Sequence, residues 1–245
     1  MNFKKVFWLP VIIACIVSAC SNNAQKAIAK RTATPPIIDG QIDASWNNYS
    51  WLDVKNIRHS RVKQLTPDNL SGSFKVCWDT ASCYFLFKIT DNIKCWSNDT
   101  AGFPRIFDLR MRDYDGMEIY FDPANNRADT INIKSFNCKK FTYHSDSICS
   151  SASTPENSLL TGIQFAQSDW DKGYYFEIKL PWKNLNIQPA NKLKMGFEVN
   201  VFDNDNETPS PDVLPKRASV LSWNDNTGEN PMRRTDKYGY LILED

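Results

Sequence analysis

Residues 113–123 read DYDGMEIYFDP, and from Gly116 onward the stretch alternates without a break. Met117, Ile119 and Phe121 fall on one side, Glu118, Tyr120 and Asp122 on the other, and Pro123 ends the run. Period-two alternation is the pattern of a strand with one face on a core. The same pattern returns in GSFKVCW (Phe74, Val76, Trp78), GYYFEIKLPW (Phe176, Ile178, Leu180) and GFEVNVFDND (Phe197, Val199, Val201). CYFLFKITD is apolar on both faces for part of its length, as suits a central strand covered on each side. No long helical period interrupts these runs, and only short turns are expected near Asp43–Asn47 and Pro181–Leu185. The expectation is all-β: an antiparallel β-sandwich of immunoglobulin or jelly-roll type. Residues 92–112 and 203–233 are long, aperiodic and rich in Asp, Asn, Pro and Arg, the character of functional loops.

The N-terminal segment reads differently. Lys4 and Lys5 precede an apolar run, Val6 to Ala19, shorter than the roughly 20 residues a spanning helix needs. It ends in VSAC and resembles a bacterial lipoprotein signal, which implies lipidation at Cys20. The expected organisation is a signal peptide over 1–19, a lipidated tether over 20–34 and one domain over 35–245. Ser21, in place of an aspartate, points to the outer membrane, on its periplasmic face or at the cell surface. Removing Lys4 and Lys5 with the signal leaves 29 basic residues reduced by two against 28 acidic ones, a balance with no electrostatic footprint for nucleic acid.

Cysteine spacing fits an exported chain. Cys77 and Cys83 flank a turn, Cys138 and Cys149 bracket a polar loop, and each pair is a disulfide candidate in an oxidising compartment. Spacing alone leaves buried thiols equally open, and Cys95 has no partner in either scheme. No CxxC pair marks a zinc or redox site.

Catalysis finds little support. Retaining and inverting glycosidases need carboxyl pairs about 5–5.5 Å or about 6.5–9.5 Å apart. Asp115 and Glu118 differ by an odd number of positions and face opposite sides of a regular strand, while Asp113 and Asp115 precede a glycine. The histidines are His59 and His144, and neither belongs to a nucleophile motif. No catalytic residue is assigned.

IIDGQIDASW, CWDTASCYFLFKITD, DGMEIYFDP, FEIKLPW, GFEVNVFDND, SWND and KYGYLIL occur in the order found in family 9 carbohydrate-binding modules, and the resemblance runs from Ile37 to about Leu243. It implies a β-sandwich that binds oligo- or polysaccharide without hydrolysing it, often with structural calcium, and no organic cofactor. It implies sugar contacts from Glu118 of MEIYFD and from the side-chain amide of Asn200 in GFEVN. The chemistry agrees, since carboxylate and amide groups on rigid strands accept and donate to adjacent sugar hydroxyls. The chain departs from the family at two stacking tryptophans: Arg112, Asp113 and Tyr114 stand where one belongs, and Met232 where the other does. Tyr114 and Trp96 can rebuild a platform, while Arg233 and Arg234 can present cations to acidic sugars. DNDNE offers Asp203 and Asp205 as hard oxygen ligands for calcium. Asp113, Asp115 and Asp122 are expected to shape loops or face a metal. Trp46, Trp78 and Trp182 are expected in the core. Expected partners are glycan, the outer membrane through the lipid, and glycan-degrading enzymes or transporters. The rival readings are a glycosidase built on the clustered carboxylates and a b-type haem domain using Met117 and His144.

Overall fold

The structure, a computed structural model, describes residues 24–96, 114–127, 133–139, 147–150, 161–205, 218–225, 227 and 234–245. Its strands are β1 (Lys26–Arg31), β2 (Leu52–Val54), β3 (Asn56–Ser60), β4 (Leu70–Trp78), β5 (Ser82–Asp91), β6 (Gly116–Asp122), β7 (Lys134–Lys139), β8 (Ser147–Ser150), β9 (Gln164–Trp170), β10 (Gly173–Pro181), β11 (Lys194–Asp203), β12 (Ser219–Ser222) and β13 (Gly239–Glu244). One helical turn, α1 (Trp182–Leu185), and a 3₁₀ turn at Ala44–Asn48 stand where short turns are expected.

The alternation of 116–122 is realised in β6, which pairs antiparallel with β11. Phe121 lies opposite Phe197, Ile119 opposite Val199 and Met117 opposite Val201, and all six are sealed from solvent. The strand path β8-β7-β6-β11-β13-β1-β4-β5-β10-β9 folds back on itself to make two layers. Aromatic rings close them: Phe85 stacks on Phe197 at 5.7 Å and meets Phe121 edge-on at 6.1 Å, and Phe74 lies 5.6 Å from Phe197. Such ring pairs add about 0.5–1.5 kcal/mol each beyond area burial, so register errors between the layers are penalised several times over.

The outer face of β4, β5 and β10 is covered as well. Trp46, Cys77, Tyr84 and Leu86 form a second cluster there. Glu177, fully buried on β10, accepts the Trp46 indole N–H at 3.0 Å and the Gly40 N–H at 2.9 Å. Gly40 holds φ +82°, and a Cβ there would stand 2.9 Å from the Gln167 carbonyl, so the IIDGQIDASW segment needs its glycine. Trp78 and Trp182 are buried as expected and meet edge-on at 6.5 Å.

Two expectations are corrected. Residues 26–31, expected within the tether, form β1, inserted between β13 and β4 and parallel to both, so the sheet is mixed at this seam. Ala27 and Ala29 are fully buried beside Leu241 and Leu243. Their side chains are small because the neighbours supply the bulk, which hid the alternation. The Cys77–Cys83 bridge is also absent: both are free buried thiols. Cys77 lies opposite Tyr84 and packs in the outer cluster, whereas Cys83 lies opposite Trp78 and packs in the main core. A six-residue separation across this hairpin puts the sulfurs on opposite faces of the sheet, and no disulfide spans one. Cys138 is buried, and its register partner on β8 is Ile148, with Cys149 opposite Asn137.

Replacing Ala29 by Asp places a carboxylate in the closed seam and is expected to cost at least about 3 kcal/mol. Denaturant unfolding measures it; a tether residue would show no change.

Candidate functional site

The other face of β6 and β11 carries the polar residues, and it is not a plain solvated face. Glu118 sits directly opposite Asn200, and the row continues to Ser222 on β12 and Asn56 on β3. The two residues chosen from the sequence therefore face each other across one pair of strands, close enough to address a single ligand edge. Asn200 is 1 % exposed, and neither its amide nitrogen nor its oxygen has a partner. Glu118 is half-buried and accepts a hydrogen bond from the Tyr120 hydroxyl two residues on. At the β12 end the row is occupied with loop building: Ser222 donates to the Asp225 carbonyl and Asn56 to the Trp223 carbonyl at 2.8 Å.

Glu198, the next outward residue on β11, has another task. Its carboxylate accepts the backbone N–H groups of Val199, Trp223, Asn224 and Asp225 at 2.8–3.2 Å. Burial pushes its pKa up to about 7, and the four donors pull against that shift. This grip fixes the SWND turn, driving Trp223 inward to within 5.7 Å of Phe74 and 5.4 Å of Phe197. Gly239 of KYG makes room for it, since a Cβ there would stand 2.3 Å from the indole. Sequence reasoning placed Glu198 among the outward polar groups; the structure uses it as an anchor.

A second polar centre lies about three residues away along β11. Asp91 at the end of β5, Asp115 just before β6 and Asp203 at the end of β11 bring carboxylate oxygens within 4.8 Å of one another, all buried. Asp115 accepts the N–H groups of Cys95 and Asn204, and Asp91 that of Ile93. Both Asp203 oxygens, one Asp91 oxygen and one Asp205 oxygen have no partner, and the buried Tyr174 hydroxyl beside them has none either. Burial raises Asp91 to about 6, and burial together with the Asp205 and Asp91 charges raises Asp203 to about 8. Asp115 is pushed well up by burial and by Asp91. Hard carboxylate oxygens that converge with several left unbonded are what a divalent ion such as calcium requires, so these residues fit one. Asp205 stands beside the trio rather than in it. Asp91 was missed: it closes core strand β5, and only the assembled fold shows that this end meets Asp115 and Asp203.

The expected aromatic platform is not where it was sought. Tyr114 is buried beside Asp115, and Trp96 is half-buried against Tyr174 at a 4.8 Å ring separation, so both border the carboxylates instead of Glu118 and Asn200. Arg234 is forked onto Asp236 at 2.9 and 3.0 Å. Asp122 shapes a loop, accepting the Arg127 N–H. Arg112, Asp113, His144, Met232, Arg233 and Cys20, and the side chain of Cys149, lie outside the described residues. Met117 is sealed in the core, so its sulfur faces no ligand pocket. Asp115 accepts two loop amides and converges with Asp91 and Asp203.

A carboxyl whose folded pKa is raised stabilises the fold fully below its unfolded value, and that contribution is lost as pH rises through the folded one. In chelator, wild-type stability should therefore fall between about pH 4 and pH 8. Asp203→Asn, which cannot ionise, should melt above wild type by a margin that widens from pH 5 to pH 8 in thermal scans.

Comparisons with known proteins agree with this architecture. The family model described as "Carbohydrate family 9 binding domain-like" matches residues 38–245. The endo-1,4-beta-xylanase A of Thermotoga neapolitana is 24% identical over 208 residues, covering 85% of this chain and 17% of the xylanase. That of Thermoanaerobacterium saccharolyticum is 25% identical over 223 residues, covering 91% and 16%. The chain thus spans about a sixth of the length of these relatives. A family 9 carbohydrate-binding module from Caldicellulosiruptor kristjanssonii, solved with cellotriose, superposes with a TM-score of 0.67 at 21% identity, covering 90% of this chain and 94% of the module. Its glucose complex gives 0.66 at the same identity, covering 90% and 96%. With the family's model matched from the IDGQIDASW motif to the last residue, this chain belongs to the carbohydrate family 9 binding domain-like family, a family of non-catalytic binding domains.

Proposed function

We propose that the domain binds a glycan without cleaving it, at the Glu118–Asn200 pair on the outer face of β6 and β11. The observation that carries this reading is Asn200: a buried amide with both hydrogen-bonding atoms unpartnered. An orphaned polar group costs about 1–3 kcal/mol, and a pair of adjacent sugar hydroxyls satisfies donor and acceptor together. The family 9 modules solved with cellotriose and with glucose share the fold, which supports the same class of ligand here. Calcium at Asp91, Asp115 and Asp203 is part of the proposal. Bound there it would neutralise repelling carboxylates and pin the ends of β5, β6 and β11, a structural service three residues from the ligand face. The lipoprotein-like N-terminus supports an outer-membrane location, where the domain would hold sugar near degrading enzymes or transporters.

Calorimetry with cello-oligosaccharides tests the site. Glu118→Gln and Asn200→Ala should each weaken binding by about tenfold or more, with melting temperatures close to wild type, because each loses a hydrogen bond worth about 1.5–3 kcal/mol. Unchanged affinity in both variants removes the pair from the site. No reducing sugar should appear during these titrations. Adding calcium to chelator-stripped protein should raise its melting temperature by mass action, and Asp203→Asn should abolish most of that rise.

A further inference from the structure

We infer that Arg58 sets the charge preference of this site by pairing with the carboxylate of a uronic acid sugar whose hydroxyls lie on Asn200 and Glu118. The inference rests on the glycan-binding reading above and names its substrate class. Arg58 belongs to β3, the strand that flanks β12 at the end of the polar row. Its register with β12 is irregular: Leu221 pairs with Ile57, but the next residue, Val220, pairs with His59, leaving Arg58 as the extra residue. A bulge of this kind redirects a side chain and commonly adjoins a binding site. Asn56 joins the outer polar row by its register with Ser222, and Arg58 two residues on is likewise half-buried, whereas Ile57 between them is 55 % exposed.

The neighbours of Arg58 tie it to the same patch. Its charge reaches the buried phenol of Tyr238, which also feels Glu198, Asp122 and Glu118. Tyr238 in turn packs 6.2 Å from Tyr120, the residue that donates to Glu118. Cation and carboxylate therefore flank one area of the outer face, with Asn200 between them in register. Glu198 is already committed to four backbone N–H groups and does not neutralise the arginine by direct contact. Among the described residues Arg58 makes no hydrogen bond or ion pair. A guanidinium fork left this way matches a planar carboxylate, which it binds through two parallel bonds, better than it matches single hydroxyls. The polarity of the row also orients the ligand: neutral hydroxyls at Glu118, the anionic group toward β3.

The test compares a uronic-acid-terminated oligosaccharide with its carboxyl-reduced, neutral counterpart, by calorimetry at low and at physiological salt. Wild type should prefer the acidic sugar by about tenfold, and the preference should shrink with salt. Arg58→Gln should abolish the preference and its salt dependence while leaving the neutral sugar's affinity unchanged. Arg58→Lys should keep the salt dependence but lose part of the preference, because a point charge lacks the fork. Equal affinity of wild type for both sugars, or an acidic-to-neutral ratio unmoved by Arg58→Gln, overturns the assignment. If the neutral sugar still depends on Glu118 and Asn200 in that case, the glycan site stands and only Arg58 is removed. Failure of wild type to bind either sugar overturns both.

Discussion

A single buried carboxylate holds this domain's two layers in their working relation. Glu198 sits on the outer face of the central strand β11 and takes four backbone N–H groups, three of them from the turn after β12. A charged acceptor with that many donors is among the stronger anchors a protein can build, and removing it would orphan every donor at once. Because the turn is fixed, Trp223 is pressed between Phe74 and Phe197, and Asn224 is free to bridge the Gln25 amide and the Lys237 carbonyl. The core, the N-terminal strand and the approach to the last strand thus meet at one residue.

The fold was legible where side chains were large. Phe121, Phe197, Phe176 and their alternating partners announce their strands because burying bulky groups on one face leaves a two-residue period that few other structures produce. It was illegible where burial used small residues, as in β1, whose KAIAKR reads as a polar linker until its neighbours are known. The disulfide expectation failed for a related reason. Linear spacing around a hairpin says that two residues are near, but not that they share a face, and Cys77 and Cys83 do not.

The sites divide in the same way. Glu118 and Asn200 were singled out by the family resemblance together with their outward phase on two strands, and antiparallel register sets them opposite each other. Asp91 and Arg58 come from strands remote in sequence, and no local pattern says which end of a sandwich each will reach. The aromatic platform failed because Trp96 and Tyr114, though at loop ends, have more to gain from packing beside Tyr174 and Asp115 than from standing in solvent. β11 emerges as the organising strand: its middle offers an unsatisfied amide, and its end an unsatisfied carboxylate. Both are local debts against stability that a bound partner would discharge.

The position of β1 has a kinetic meaning. The strand lies between β13 and β4, pairing Ala27 with Leu241 and Lys30 with Cys77. β1 and β13 form the seam of the sheet, with more than 200 residues between their paired positions. Contacts that remote carry the largest loop-closure cost and tend to form late. A nascent chain can assemble the β4–β5 hairpin early, but its sheet stays open, with unpaired edges exposed, until β13 has arrived.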